Sequence, residues 1–107
     1  MRILEFNVQK QRLTKKIDCD FSGLVAGSVG YLRAKFYFSD NEWNGCSTRV
    51  ARFWLDGKEH AEILDNNDSC EIPAAVLTGS KFEVSILGAA SGYKIETNKI
   101  TVRQGVH

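Results

Sequence analysis

From Tyr31 to Ser39 the chain alternates without a break. Leu32, Ala34, Phe36 and Phe38 fall on one side, and Tyr31, Arg33, Lys35 and Tyr37 on the other. Only an extended strand separates these two sets, because successive strand side chains point to opposite faces. A helix would mix them on every turn. The apolar set must therefore lie on a core, which requires a second layer to cover it.

The same rhythm returns along the chain. Leu4, Phe6 and Val8 alternate with Glu5, Asn7 and Gln9, and Phe82, Val84 and Ile86 with Glu83 and Ser85. Ile100 and Val102 alternate with Thr101 and Arg103, while Tyr93, Ile95 and Thr97 form a strand or its approach. Cys70-Glu71-Ile72 is a short extended piece. Pro73 to Leu77 reads as one helical turn, with proline at its start and Gly79 just past its end. The expectation is an all-β chain of about seven short strands in an antiparallel two-sheet sandwich of the immunoglobulin-like type, with residues 1–107 as one domain. A small barrel is the alternative.

Thr48 to Leu64 reads as a hairpin around Asp56-Gly57, and two signals disagree over its register. A two-residue Asp-Gly turn is the stronger local cue. It sets Phe53 against His60 and Ala51 against Glu62, mixing apolar and polar residues on each face. A loop one residue longer sets Phe53 against Ala61, Ala51 against Ile63, and Trp54 against His60 on the outer face. A one-residue slip exchanges the faces, so burial is expected to decide in favour of the longer loop. In the turn-rich stretch Ser39 to Gly45, Trp43 reads first as an anchor closing one end of the core, with an exposed contact residue as the alternative.

The formal net charge of the 107 residues is +1, so no whole-surface attraction to nucleic acid or anionic lipid is expected. The basic stretch Lys10 to Lys16 lacks interleaved aromatics and reads as a solvated strand edge. No apolar run is long enough for a membrane helix, and Met1 to Asn7 has no secretory h-region. Cys19, Cys46 and Cys70 are odd in number and widely spaced, which suits reduced thiols in a reducing compartment.

No motif carries catalysis, a metal or a cofactor. His60 has no second ligand cluster, His107 is terminal, and nothing in the spacing supports Cys46 and His60 as a nucleophile and base. Asp65, Asn67 and Asp68 do not follow calcium-loop spacing, and Gly88 to Gly92 lacks the ending of a phosphate loop. The polar face of the Tyr31–Ser39 strand admits two readings. It is an ordinary solvated face with tyrosine rings over cation stems, or a protein contact surface of Tyr31, Arg33, Lys35 and Tyr37, with Trp54 opposite.

One resemblance spans Leu4 to Val102. Its residues are Tyr31-Leu32-x-Ala34-x-Phe36-x-Phe38-Ser39, Trp43-Asn44-Gly45, Ala51-x-Phe53, Glu62-Ile63-Leu64-Asp65, Cys70-x-Ile72-Pro73, Val76-Leu77, Phe82-x-Val84-Ser85 and Thr97-Asn98-Lys99-Ile100-x-Val102. This set resembles a small β domain of tail-fibre, baseplate or head-fibre proteins in phages and prophages of Gram-positive bacteria. The resemblance implies a non-enzymatic virion module, assembled in the host cytoplasm, that attaches an appendage to the particle. It implies other virion proteins as partners, a trimer in the full-length context, and no catalytic residue. A small phage-encoded inhibitor of a host protein and a carbohydrate-binding module are the alternatives.

Overall fold

The structure, a computed structural model, describes residues 1–105; His107 and any continuation past Val106 lie outside them. Nine strands follow one another among the described residues: β1 (Arg2–Gln9), β2 (Arg12–Lys15), β3 (Leu32–Phe38), β4 (Thr48–Leu55), β5 (Lys58–Ile63), β6 (Ser69–Glu71), β7 (Lys81–Ala90), β8 (Tyr93–Glu96) and β9 (Ile100–Arg103). They form two sheets, ordered β2-β1-β3-β6 and β5-β4-β7-β8, with β9 also on β7. Leu4, Phe6, Val8, Ala34 and Phe36 of the first sheet share one core with Ala51, Phe53, Phe82, Val84 and Ile86 of the second. These are the apolar faces that the alternation marks. The helical turn expected near Pro73 is a 3-10 turn at Ala74–Val76, with Pro73 and Leu77 as its caps.

Three expectations need correction. The first concerns strand number: the described residues form nine, and β2 is the one that alternation does not announce. It lies within the basic stretch, where only Leu13 is apolar and buried.

The second concerns direction. β1 and β3 run parallel, Leu4 beside Ala34 and Phe6 beside Phe36, while the other ladders among the described residues are antiparallel. Side-chain period says which face is buried but nothing about which way a neighbour runs. The parallel pair is made by a long crossover after β2, consistent with the length such connections require. That crossover packs Phe21 edge-on against Phe6 at 5.4 Å and buries Leu24.

The third concerns the β4–β5 register. Phe53 pairs with His60, Ala51 with Glu62 and Trp54 with Glu59, so the two-residue turn prevails. Asp56 and Gly57 both take positive φ, 52° and 80°, which is the twist a two-residue hairpin prefers. Burial cannot oppose this, because β5 is an edge strand that buries none of its residues. Leu64, just past β5, takes the core position instead of Ile63, which is 71% exposed.

Two of the contacts between the sheets run through Trp43 and Asn98. Trp43 sits in a 3-10 turn at Asn41–Trp43 and is fully buried. Its indole Nε1 donates to the Lys10 carbonyl at 2.8 Å, in the β1–β2 turn. Lys10 takes a positive φ of 53°, which is uncommon for a residue with a side chain. Its own N–H donates to Asp40, so both neighbouring peptide groups are held. The other side of the indole lies on Gly88 of β7. A Cβ there would stand 2.7 Å from the ring and 2.6 Å from the Cys46 sulfur.

The second tie is a β-bulge. Leu87 pairs with Glu96 and Val84 with Ile100, so two residues of β7 face Thr97, Asn98 and Lys99. Thr97 satisfies Ile86 with both its N–H (3.0 Å) and its hydroxyl oxygen (2.9 Å). Asn98 is thereby turned toward β2. Its Oδ1 accepts from Leu13 N at 2.8 Å, its Nδ2 donates to Leu13 O at 3.3 Å, and its own N–H donates to Gln11 O.

These ties are testable by denaturant unfolding. Gly88→Ala should cost about 2–3 kcal/mol by overpacking, whereas Gly45→Ala, with open space around it, should change stability by less than about 0.5 kcal/mol. Asn98→Ala should cost about 1–2 kcal/mol and speed hydrogen exchange at the Leu13 amide. Asn98→Asp should not restore it, because a carboxylate oxygen would then face the Leu13 carbonyl.

Candidate functional site

The outward side of the first sheet gathers the residues singled out on β3. Arg33, Lys35 and Tyr37 stand beside Ile3, Glu5 and Asn7 of the parallel β1, and Arg33 and Lys35 beside Glu71 and Ser69 of β6. Tyr31 precedes β3 at the same end as Ile3. Four of the five sequence candidates therefore share one surface. Trp54 is on β4, in the other sheet.

The polar groups of this surface are mostly bonded to one another. The Tyr37 hydroxyl donates to Glu5 at 2.5 Å, which pushes its ionisation above the ordinary tyrosine range. Lys16 and Lys35 hold their ammonium groups 5.6 and 5.3 Å from the Tyr37 ring centre. Lys35 also donates to the Asn67 carbonyl, and Arg33 bridges Asp65 and Ser69, each at 3.2 Å. The Asp65 carboxylate accepts backbone N–H groups from Ser69 and Asn67, which holds it below the usual carboxylate range. Among its exposed large side chains are Tyr31 at 49% and Ile3 at 53%.

The same surface contains a feature that the sequence does not announce. Asn7, Gln9, Arg12, Thr14 and Ser39 line an open cleft of about 460 Å³. The β1–β2 hairpin creates it by setting Asn7 beside Thr14 and Gln9 beside Arg12. In one-dimensional order these are merely the polar positions of two strands. A donor and acceptor set of amide, guanidinium and hydroxyl groups suits a hydroxyl-bearing ligand.

Trp54 lies on the outward side of the second sheet, yet it is only 7% exposed. Cations cover it: the Lys99 ammonium is 4.1 Å from its ring and the Arg52 guanidinium 5.1 Å. Arg52 is held in turn by Glu96 at 2.6 Å and Glu59 at 3.8 Å. His60 is not beside Trp54. It faces inward opposite Phe53, whereas Cys46 lies before the far end of β4. Among the described residues no three His, Cys, Asp or Glu side chains converge to hold a metal ion, and no helix is long and apolar enough to cross a membrane. No protein-family model matches the chain, and no curated protein matches it.

Burial alters the chemistry of the Cys70 thiol. It is buried on β6, and loss of hydration raises its pKa to about 12. At pH 8, iodoacetamide should therefore label half-buried Cys19 and Cys46 in the native protein and reach Cys70 only after unfolding, read as added mass. At a pH of about 7 and below the thiol is protonated in both states and contributes nothing to pH dependence. Above that, only the unfolded state ionises, so stability should fall toward pH 12 by this group alone.

Proposed function

We propose that the two sheets form an immunoglobulin-like sandwich and that the chain is a non-enzymatic virion module attaching a fibre or baseplate appendage to a phage particle. One observation carries this reading: the residues of the phage-domain resemblance coincide with the structural ties. Trp43 is the buried wedge, Thr97 and Asn98 make the bulge and clamp, and Ala34, Phe36, Phe53 and Val84 fill the core. A shared pattern at such positions is what a shared fold requires. Attachment needs a surface that survives this internal bonding, and Tyr31 with Ile3 supplies one on the first sheet. Arg33, Lys35 and Tyr37 fix its shape through their own bonds rather than offering free charge.

Mass spectrometry of purified particles made from the genome that encodes the chain should detect it in fixed stoichiometry with appendage proteins. Particles complete in their other proteins but lacking it would refute the reading. Within such particles Tyr31→Ala should reduce incorporation several-fold while leaving the unfolding midpoint nearly unchanged, since Tyr31 is half exposed.

A second reading, carbohydrate recognition, draws on the cleft of Asn7, Gln9, Arg12 and Thr14. Glycan-array binding abolished by Arg12→Ala would support it, and a silent array would remove it.

A further inference from the structure

We propose that β5 is the seam of a two-fold homodimer in which the second sheets of two copies join edge to edge. The proposal rests on strand geometry and charge order, and stands independently of any role in a virion.

The sheets present few edges on which another strand could add. The Asn98 side chain already occupies both backbone groups of Leu13 on β2. β6 has only three residues, and the β8–β9 side is broken by the bulge. β5 is different: six residues run without proline or bulge at the end of the second sheet. Lys58, Glu59, Ala61 and Ile63 are exposed along it.

Its backbone is set for pairing. Leu64 donates to the Arg49 carbonyl, which directs the even-numbered residues of the strand toward β4. The N–H and C=O groups of Glu59, Ala61 and Ile63 therefore point away from the sheet. No hydrogen bond to them is present among the described residues.

Charge order then selects one register. A two-fold axis at His60 brings an antiparallel copy in with Glu59 opposite Ala61, so the outward backbone groups meet in hydrogen-bonded pairs. It also places Lys58 opposite Glu62, twice, in the non-hydrogen-bonded positions where side chains come closest, about 4.5 Å between Cα atoms. Neither Lys58 nor Glu62 makes an ion pair among the described residues. An axis between two residues would set outward groups against inward ones. An axis at Glu59 would oppose Asp56 and Glu62. An axis at Ala61 would leave Lys58 opposite Leu64. The occupant of the edge is thus a second copy of this chain.

Analytical ultracentrifugation over a dilution series should show a reversible monomer–dimer equilibrium. Lys58→Glu and Glu62→Lys should each weaken the dimer by roughly tenfold, since two opposite-charge pairs become two like-charge pairs. The double variant K58E/E62K should recover it. That recovery cannot arise within one chain, because four residues of strand separate the two positions by about 13 Å. Amide exchange at Glu59 and Ala61 should slow as concentration rises. A monomer throughout the series overturns the proposal. So does a dimer that ignores both reversals or that the double variant fails to restore.

Discussion

The wedge formed by Trp43 is the interaction on which the rest of the molecule depends. Its indole bonds to the turn of one sheet and lies on the bare backbone of the other, so a single side chain fixes the distance between layers at that end. Each neighbour follows from that placement. Gly88 must lack a side chain, Phe38 packs at 5.1 Å from the ring, and Arg49 covers Phe38 while donating to the Trp43 carbonyl. Arg49 then reaches Asp68, which anchors the turn leading into β6. The chain from indole to turn is one of direct contacts, so loosening its first member would be felt at the last.

How much of this was legible in the sequence depends on what each property requires. Along β1, β3, β7 and β9, which residues face the core followed from alternation alone, because that property is local. Strand direction was not legible, because nothing in Leu4-Phe6-Val8 or Leu32-Ala34-Phe36 distinguishes a parallel neighbour from an antiparallel one. The β4–β5 register was misjudged for a physical reason. The burial rule assumes both strands bury a face, and β5 buries neither, so turn chemistry decided. The candidate surface was legible in part. Alternation grouped Tyr31, Arg33, Lys35 and Tyr37, but their partners Glu5, Asp65, Asn67 and Ser69 come from distant segments. The cleft at Asn7 and Arg12 was missed because it exists only once the first hairpin has closed.

The outward sides of the two sheets are built on different principles. The first is a network of paired charges in which Tyr37 receives two ammonium groups and a carboxylate. The second shelters an aromatic ring under Arg52 and Lys99 and leaves an apolar row, Ile63, Val50 and Leu87, across three strands. Paired charges keep a surface hydrated and selective; a roofed tryptophan adds buried area without exposing it. Two such surfaces present different chemistry on the two outward sides.

The parallel pairing of β1 with β3 has a mechanical consequence. A pull on Arg2 along β1 runs in line with seven paired residues on one side and four on the other. Those ladders would be strained together, in shear, instead of opening one rung at a time from an end. The Leu13–Asn98 clamp adds a cross-link to the opposite sheet behind them. Force entering at that strand is thereby spread over two sheets at once.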